Sequence, residues 1–233
     1  MLKATGLPTL LVEGKDDASI YRWLERSIGV TLGSILICSG REVLISIYRK
    51  RDTFEHGKLA WLADLDMWRF ATPPADLDGI IFTSGYSIEN DLYAGSNIEV
   101  LLEPAERARH TQLLHTVCRW FVFEILEYSS GRRCEVATRI NRVVDYDAGD
   151  IHHLFIAHRG YSEPPPERVI DLMENYKLHL RGKTLFEILI RFLSSPGRSA
   201  RYGYDNIIDI CLKLQPDNEY IERLVSRVRA ALS

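Results

Sequence analysis

Residues 9–28 read TLLVEGKDDASIYRWLERSI, and two periodicities meet inside them. Thr9–Val12 is a short apolar run ending in Glu13-Gly14, the pattern of a buried strand followed by a turn. From Asp16 the spacing changes. Ile20, Trp23, Leu24 and Ile28 recur as on one face of a helix, and Asp16 and Asp17 stand where a helix N-terminus favours negative charge. The same alternation continues downstream. Ser34–Cys38 is strand-like and is closed by Ser39-Gly40, and Val43, Leu44 and Ile47 suit a helix running into the basic stretch Tyr48–Arg51. Lys58–Ala63 forms a third strand ending in Asp64-Leu65-Asp66, and Gly79–Phe82 a fourth after the Pro73-Pro74 loop. Strands alternating with helices predict an α/β fold with a parallel sheet flanked by helices.

Beyond residue 95 the strand signal fades. Leu113, Val117, Trp120, Phe121, Ile125 and Leu126 form a long helical stripe. Further helices are expected at Pro166–Leu180, Lys183–Leu193, Asn206–Leu214 and Asn218–Leu232, with breaks at Pro164-Pro165-Pro166 and Ser194–Gly197. The organisation expected is therefore an α/β domain over 1–95 and a mainly helical region over 96–233 that offers substrate, dimer or partner contacts.

The chain has 233 residues, 46% hydrophobic and 26% charged, which excludes a disordered or fibrous protein. Lys and Arg number 29 against 32 Asp and Glu, so no global basic field draws in nucleic acid. The whole deficit falls in residues 1–95, with 10 against 13. No targeting segment and no run of about 18 apolar residues that could span a bilayer are evident, so no membrane role is expected. Cys38, Cys118, Cys134 and Cys211 form no CxxC pair. Reduced, buried thiols in a cytoplasmic protein are the expectation.

In an open parallel sheet, ligands bind beyond the carboxyl ends of the strands. Three expected strand ends carry acids: Glu13 after the first, Asp64 and Asp66 after the third, and Glu89 after the fourth. On an extended segment a D-x-D would turn both carboxylates to one side. Carboxylates packed together raise one another's cost of ionisation, and a divalent cation relieves it. Mg²⁺, or Mn²⁺ in its place, takes such oxygen ligands. The arrangement suits phosphoryl chemistry, in which one or two metals polarise a phosphate and activate water.

Leu10–Asp17 resembles the first segment of the TOPRIM fold shared by topoisomerases, primases and OLD-family nucleases, and Asp64-Leu65-Asp66 matches that fold's D-x-D. Tyr86-Ser87-Ile88-Glu89-Asn90 is similar to the S-x-E segment of OLD-type nucleases and of the TOPRIM effector of PARIS anti-phage systems. The resemblance covers residues 8–93 and reaches, weakly, Leu180–Leu185. It implies a Rossmann-like TOPRIM sheet in which Glu13, Asp17, Asp64, Asp66 and Glu89 surround Mg²⁺. Ser87 would orient a water or ligand, and Lys183 would stabilise the reacting phosphate. It further implies a nuclease acting on RNA such as tRNA, or on DNA. Such effectors are held silent by an ABC-type ATPase partner and act as homodimers once released. The further acid of the topoisomerase branch is missing, since Met67-Trp68 follows Asp66, so DNA strand passage is not expected. A TOPRIM-like module that binds metal or nucleotide without catalysis is the alternative.

Other signals are weaker. Gly182-Lys183-Thr184 lacks the earlier glycine of a phosphate-binding P-loop, because position 177 is lysine. His152, His153 and His158 lack zinc-site spacing, and Asp145, Asp147 and Asp150 lack that of a calcium loop. Arginines group at 132–142, 198–201 and 223–229, and Tyr202 and Tyr204 flank the second group where they could stack bases.

Overall fold

The structure is a computed structural model, and it describes residues 7–14, 18–29, 32–54, 58–214 and 217–233. Strands β1 (Thr9–Val12), β2 (Ser34–Ile37), β3 (Leu59–Ala63) and β4 (Ile81–Phe82) form one parallel sheet in the order β2-β1-β3-β4. Helix α1 (Ala18–Ile28) follows β1, α2 (Arg41–Tyr48) follows β2, and α3 (Ile88–Ser96) follows β4. Register is direct: Thr9 pairs with Ser34 on one side and Leu59 on the other.

Alternate residues of the central strands feed two cores. Leu10, Val12, Ala60 and Leu62 join the larger apolar cluster, whereas Leu11, Trp61 and Ala63 join a smaller one with Leu44, Tyr48 and Ile80. That two-sided burial explains why the strands read as continuous apolar runs rather than alternating ones. On the smaller side the Tyr48 hydroxyl accepts from the Gly79 N–H at 3.0 Å and its ring meets Trp61 edge-on, fixing α2 under the sheet.

Helix α4 (Pro104–Ser129) runs through the larger core with Leu113, Val117, Trp120, Phe121 and Ile125 buried. Its buried Glu124 would be costly unpaired, and it is held by Arg159 at 2.9 Å and by the Glu135 N–H at 2.7 Å. A short helix, α5 (Ile140–Val143), leads into a hairpin of β5 (Val144–Asp145) and β6 (Asp150–Ile151), then α6 (His153–Arg159). Strands of two residues leave no periodicity to read, so this hairpin is a finding of the structure. Helices α7 (Pro166–His179), α8 (Gly182–Leu193), α9 (Tyr204–Leu214) and α10 (Glu219–Leu232) complete the chain, close to their expected bounds. The larger cluster is continuous from Leu10 and Val12 through Phe121 and Phe186 to Val228.

Among the described residues no helix is long and apolar enough to cross a membrane. The cysteines are free thiols. Burial pushes Cys38 and Cys211 up to about 11 and Cys118 higher still, which makes them poor nucleophiles.

Candidate active site

Glu13 follows the last residue of β1, and its backbone carbonyl accepts from the Gly40 N–H at 2.7 Å. This joins the ends of β1 and β2. Its carboxylate accepts from the Asp64 N–H at 3.0 Å and from Arg41 Nε at 3.3 Å, which adds the ends of β3 and the start of α2. Three strand ends thus meet at one residue, through its backbone carbonyl and its carboxylate.

The D-x-D departs from the extended geometry expected of it. β3 stops at Ala63, Leu65 is helical in backbone, and Asp66 sits in the left-handed region with φ 46°. The Asp66 N–H donates to the Tyr86 carbonyl at 2.6 Å, so the turn is tied to the segment before α3. Aspartate tolerates this region better than most residues. The period-two argument therefore does not apply, yet both acids reach the same cleft through the turn. Asp64 accepts the Ile88 N–H at 2.9 Å, and Asp66 pairs with Arg41 at 2.9 Å.

Asn90, fully buried in the first turn of α3, fastens the C-terminal half to this mouth. Its amide nitrogen donates to the carbonyls of Lys177 and Leu180 at 2.8 and 2.7 Å. Its oxygen accepts from the N–H and the hydroxyl of Ser87, both at 3.0 Å. The start of α8 thereby lies against the start of α3. A Cβ on Gly182 would stand 2.6 Å from Ser87 Oγ and 2.7 Å from Glu89 Cβ, so only glycine permits this approach. Gly182→Ala is expected to cost about 1–3 kcal/mol of stability, as overpacking does, and to move Lys183 out of the cleft. Urea denaturation beside a nuclease assay checks both effects.

The result is a cleft of about 220 Å³ lined by Glu13, Asp64, Asp66, Ser87, Glu89 and Lys183, together with Tyr86, Arg181, Gly14 and Gly40. Six of the seven residues marked in the sequence are gathered there. The seventh, Asp17, lies outside the described residues. Ser87 is buried and its hydroxyl donates to Asn90, so it helps fix α3 while lining the cleft. Glu89, also buried, accepts from the Tyr204 hydroxyl at 3.2 Å.

Burial raises the Glu13 carboxyl above its ordinary range against the opposing pull of Arg41, with the Asp66 charge adding to the rise. Asp66 is likewise raised first by burial, with Arg41, Arg181 and Lys183 opposing and Glu89 adding. One group absent from the sequence reading of the site emerges here. Arg41 bridges Glu13 and Asp66, donates to the Asp64 carbonyl, and lies 4.7 Å over the Trp68 ring. It directly follows Gly40 at the end of β2, so a fourth strand end was the signal that could have found it. Arg181 precedes α8 and shares the cleft with Lys183.

Hard oxygen donors suit Mg²⁺ or Mn²⁺, and carboxyls raised by desolvation and by a neighbouring carboxylate are what a dication relieves. Among the described residues no three His, Cys, Asp or Glu side chains form a ready ligand cluster. Mg²⁺ is usually held by one or two carboxylates together with water and substrate phosphates, so the set fits that ion without a closed cage. Glu13 and Asp66 are the pair best placed, with Asp64 and Glu89 beside them.

The remaining signals resolve into structural roles. His152 caps α6 by accepting the Leu154 N–H at 3.1 Å, and Asp145 accepts the N–H groups of Asp147 and Ala148 within the hairpin turn. Arg198 pairs with Glu106 at 3.2 Å and donates to the Leu101 carbonyl. Arg223 and Arg227 of α10 donate to Ser84 Oγ and the Phe82 carbonyl at the end of β4.

Fold and site together define an α/β protein with a four-stranded parallel sheet and an acidic cleft at its carboxyl edge. The chain matches no family model and no curated protein.

Proposed function

We propose that this protein is a TOPRIM-type, Mg²⁺-dependent nuclease that hydrolyses phosphodiester bonds in RNA or DNA. The observation that carries the reading is the meeting of Glu13, Asp64, Asp66 and Glu89 in one cleft beside Lys183 and Arg181. Glu13 and Asp66, with Asp64 and Glu89 adjacent, would hold the cation. When bound, it supplies Lewis acidity toward a phosphate oxygen and lowers the pKa of coordinated water. Lys183 and Arg181 would bind the remaining phosphate oxygens and balance charge in the transition state. The N-terminus of α8, brought up by Asn90, adds a favourable end for a phosphate. Control by an ABC-type ATPase partner, homodimeric action and a role in anti-phage defence belong to the same proposal, on the sequence resemblance alone.

A second reading draws on Arg41. Its guanidinium already neutralises Glu13 and Asp66, which would suit a TOPRIM-like module that regulates without cutting. Incubation with mixed tRNA, single-stranded DNA and duplex DNA in Mn²⁺ separates the two. Cleavage supports the enzyme, and Mn²⁺ binding without cleavage supports the regulatory module.

Metal affinity should depend on pH with a definite sign. Glu13 and Asp66 are raised, so the folded chain holds their protons more tightly than the unfolded chain does. Their contribution to stability therefore falls as pH rises from the ordinary carboxylate range through the raised values. A cation competes with those protons, so Mn²⁺ affinity should climb over the same window and level off above it. Calorimetry at mildly acidic and neutral pH checks this, and affinity that stays flat would contradict it.

A further inference from the structure

Lys183 lines a second cavity as well, about 730 Å³ in volume and within the range of small-ligand pockets. Along α8, Lys183, Glu187, Ile190 and Arg191 lie on one face, and from the first to the last the helix rises about 12 Å. That face runs from the acidic cleft into the new cavity. Tyr204 also joins the two, since it lines the cavity while its hydroxyl bonds Glu89 at 3.2 Å.

We propose that this cavity seats an unpaired nucleobase of the strand whose phosphodiester lies in the acidic cleft. The inference rests on the nuclease reading and specifies its substrate as single-stranded at that point. Three observations carry it. Flat rings are already fixed in the wall: Arg191 lies 3.2 Å over the Tyr146 ring centroid, and Tyr204 meets Phe186 edge-on at 5.6 Å. Such surfaces stack bases without sequence preference and at little entropic cost. Arg139, Lys183 and Arg191 outnumber Glu187 in charge, as a polyanion requires. Finally, Glu187 uses one oxygen to accept the Ile140 N–H at 3.2 Å, and its other oxygen offers an acceptor to an exocyclic amine. Adenine and cytosine carry that amine at the pairing edge and thymine does not. A paired, stacked base cannot seat in this side cavity without leaving the helix.

Fluorescence anisotropy with labelled adenine, cytosine and thymine homopolymers and a duplex, in EDTA, tests the proposal without cleavage. Adenine and cytosine strands should bind more tightly than thymine, and all single strands more tightly than duplex. Tyr146→Ala should weaken single-strand binding about tenfold. Arg191→Ala, at an exposed position, should weaken it in the same direction, and Glu187→Gln should erode the base preference. Unchanged binding in both folded Tyr146→Ala and Arg191→Ala proteins would overturn the assignment. So would duplex binding as tight as single-strand binding, or a free mononucleotide competing as well as a strand. Failure of the nuclease reading registers separately. A protein that binds single strands through Tyr146 but never cuts in Mn²⁺ upholds the pocket and removes the enzyme, and cleavage untouched by these variants does the reverse.

Discussion

Replacing Asp64 and Asp66 together by alanine is expected to lower phosphodiester cleavage at least a thousandfold, a loss of about 4 kcal/mol in the transition state. Both carboxylates enter the cleft from the turn after β3, and of its four acids only Glu13 and Glu89 would then face the cation. The fold should survive. Loss of Asp64 removes an acceptor from the Ile88 N–H, which costs about 1 kcal/mol. Alanine at position 66 meets a left-handed backbone, φ 46°, for roughly another 1 kcal/mol. Against these, a carboxylate that desolvation, with the Glu89 charge adding, raises above its ordinary range disappears, which returns some stability. Thermal unfolding beside the nuclease assay separates the effects, and Asp66→Asn, which keeps a side chain tolerant of that backbone, isolates the charge. A double variant cutting at the wild-type rate would remove these acids from catalysis.

Asn90→Ala should be the most damaging change outside the acids. Alanine leaves the carbonyls of Lys177 and Leu180 without their donor and the Ser87 N–H and hydroxyl without their acceptor, all in a buried junction. Unsatisfied buried groups of this kind cost about 1–3 kcal/mol each, so the four together are expected to cost about 4 kcal/mol or more, at the top of the range for one substitution. Activity should fall further than stability explains, because the same bonds hold Lys183 and Arg181 beside Glu89. Asn90→Asp keeps an acceptor for Ser87 but turns an oxygen toward the two carbonyls, and it should be nearly as harmful. A folded, fully active Asn90→Ala protein would show that the start of α8 is held by other contacts.

The α/β alternation was readable because the inner strands β1 and β3 are buried on both faces and helices α1 and α2 on one. Val12 and Leu24, for example, lie in a single core. The acids were readable for a related reason: a parallel sheet delivers its strand ends to one edge, so Glu13 and Asp64 had to be neighbours once β1 and β3 paired. The shape of the turn at Asp66 was not readable, because a D-x-D is compatible with an extended or a turned backbone, and here the Tyr86 carbonyl decides it. Arg41 was hidden by its ordinary appearance at the start of a helix. Its pairing with Glu13 and Asp66 depends on β2 lying beside β1, a choice of strand order that local spacing does not encode. Asn90 and Gly182 stand 92 positions apart. Only the packing of α3 against α8 gives the small residue its reason. The grouping of arginines at 223–229 did not reveal their contacts either: Arg223 and Arg227 of α10 reach back to the end of β4.

A crystal structure of the protein soaked in Mn²⁺, read by its anomalous signal, tests the central claim most directly. An ion coordinated by oxygens of Glu13 and Asp66, at about the 2.0–2.2 Å expected of such small divalent cations and with the Arg41 guanidinium displaced from between them, is the predicted result. No anomalous peak in the cleft at saturating Mn²⁺, with Arg41 still bridging the two carboxylates, would contradict it.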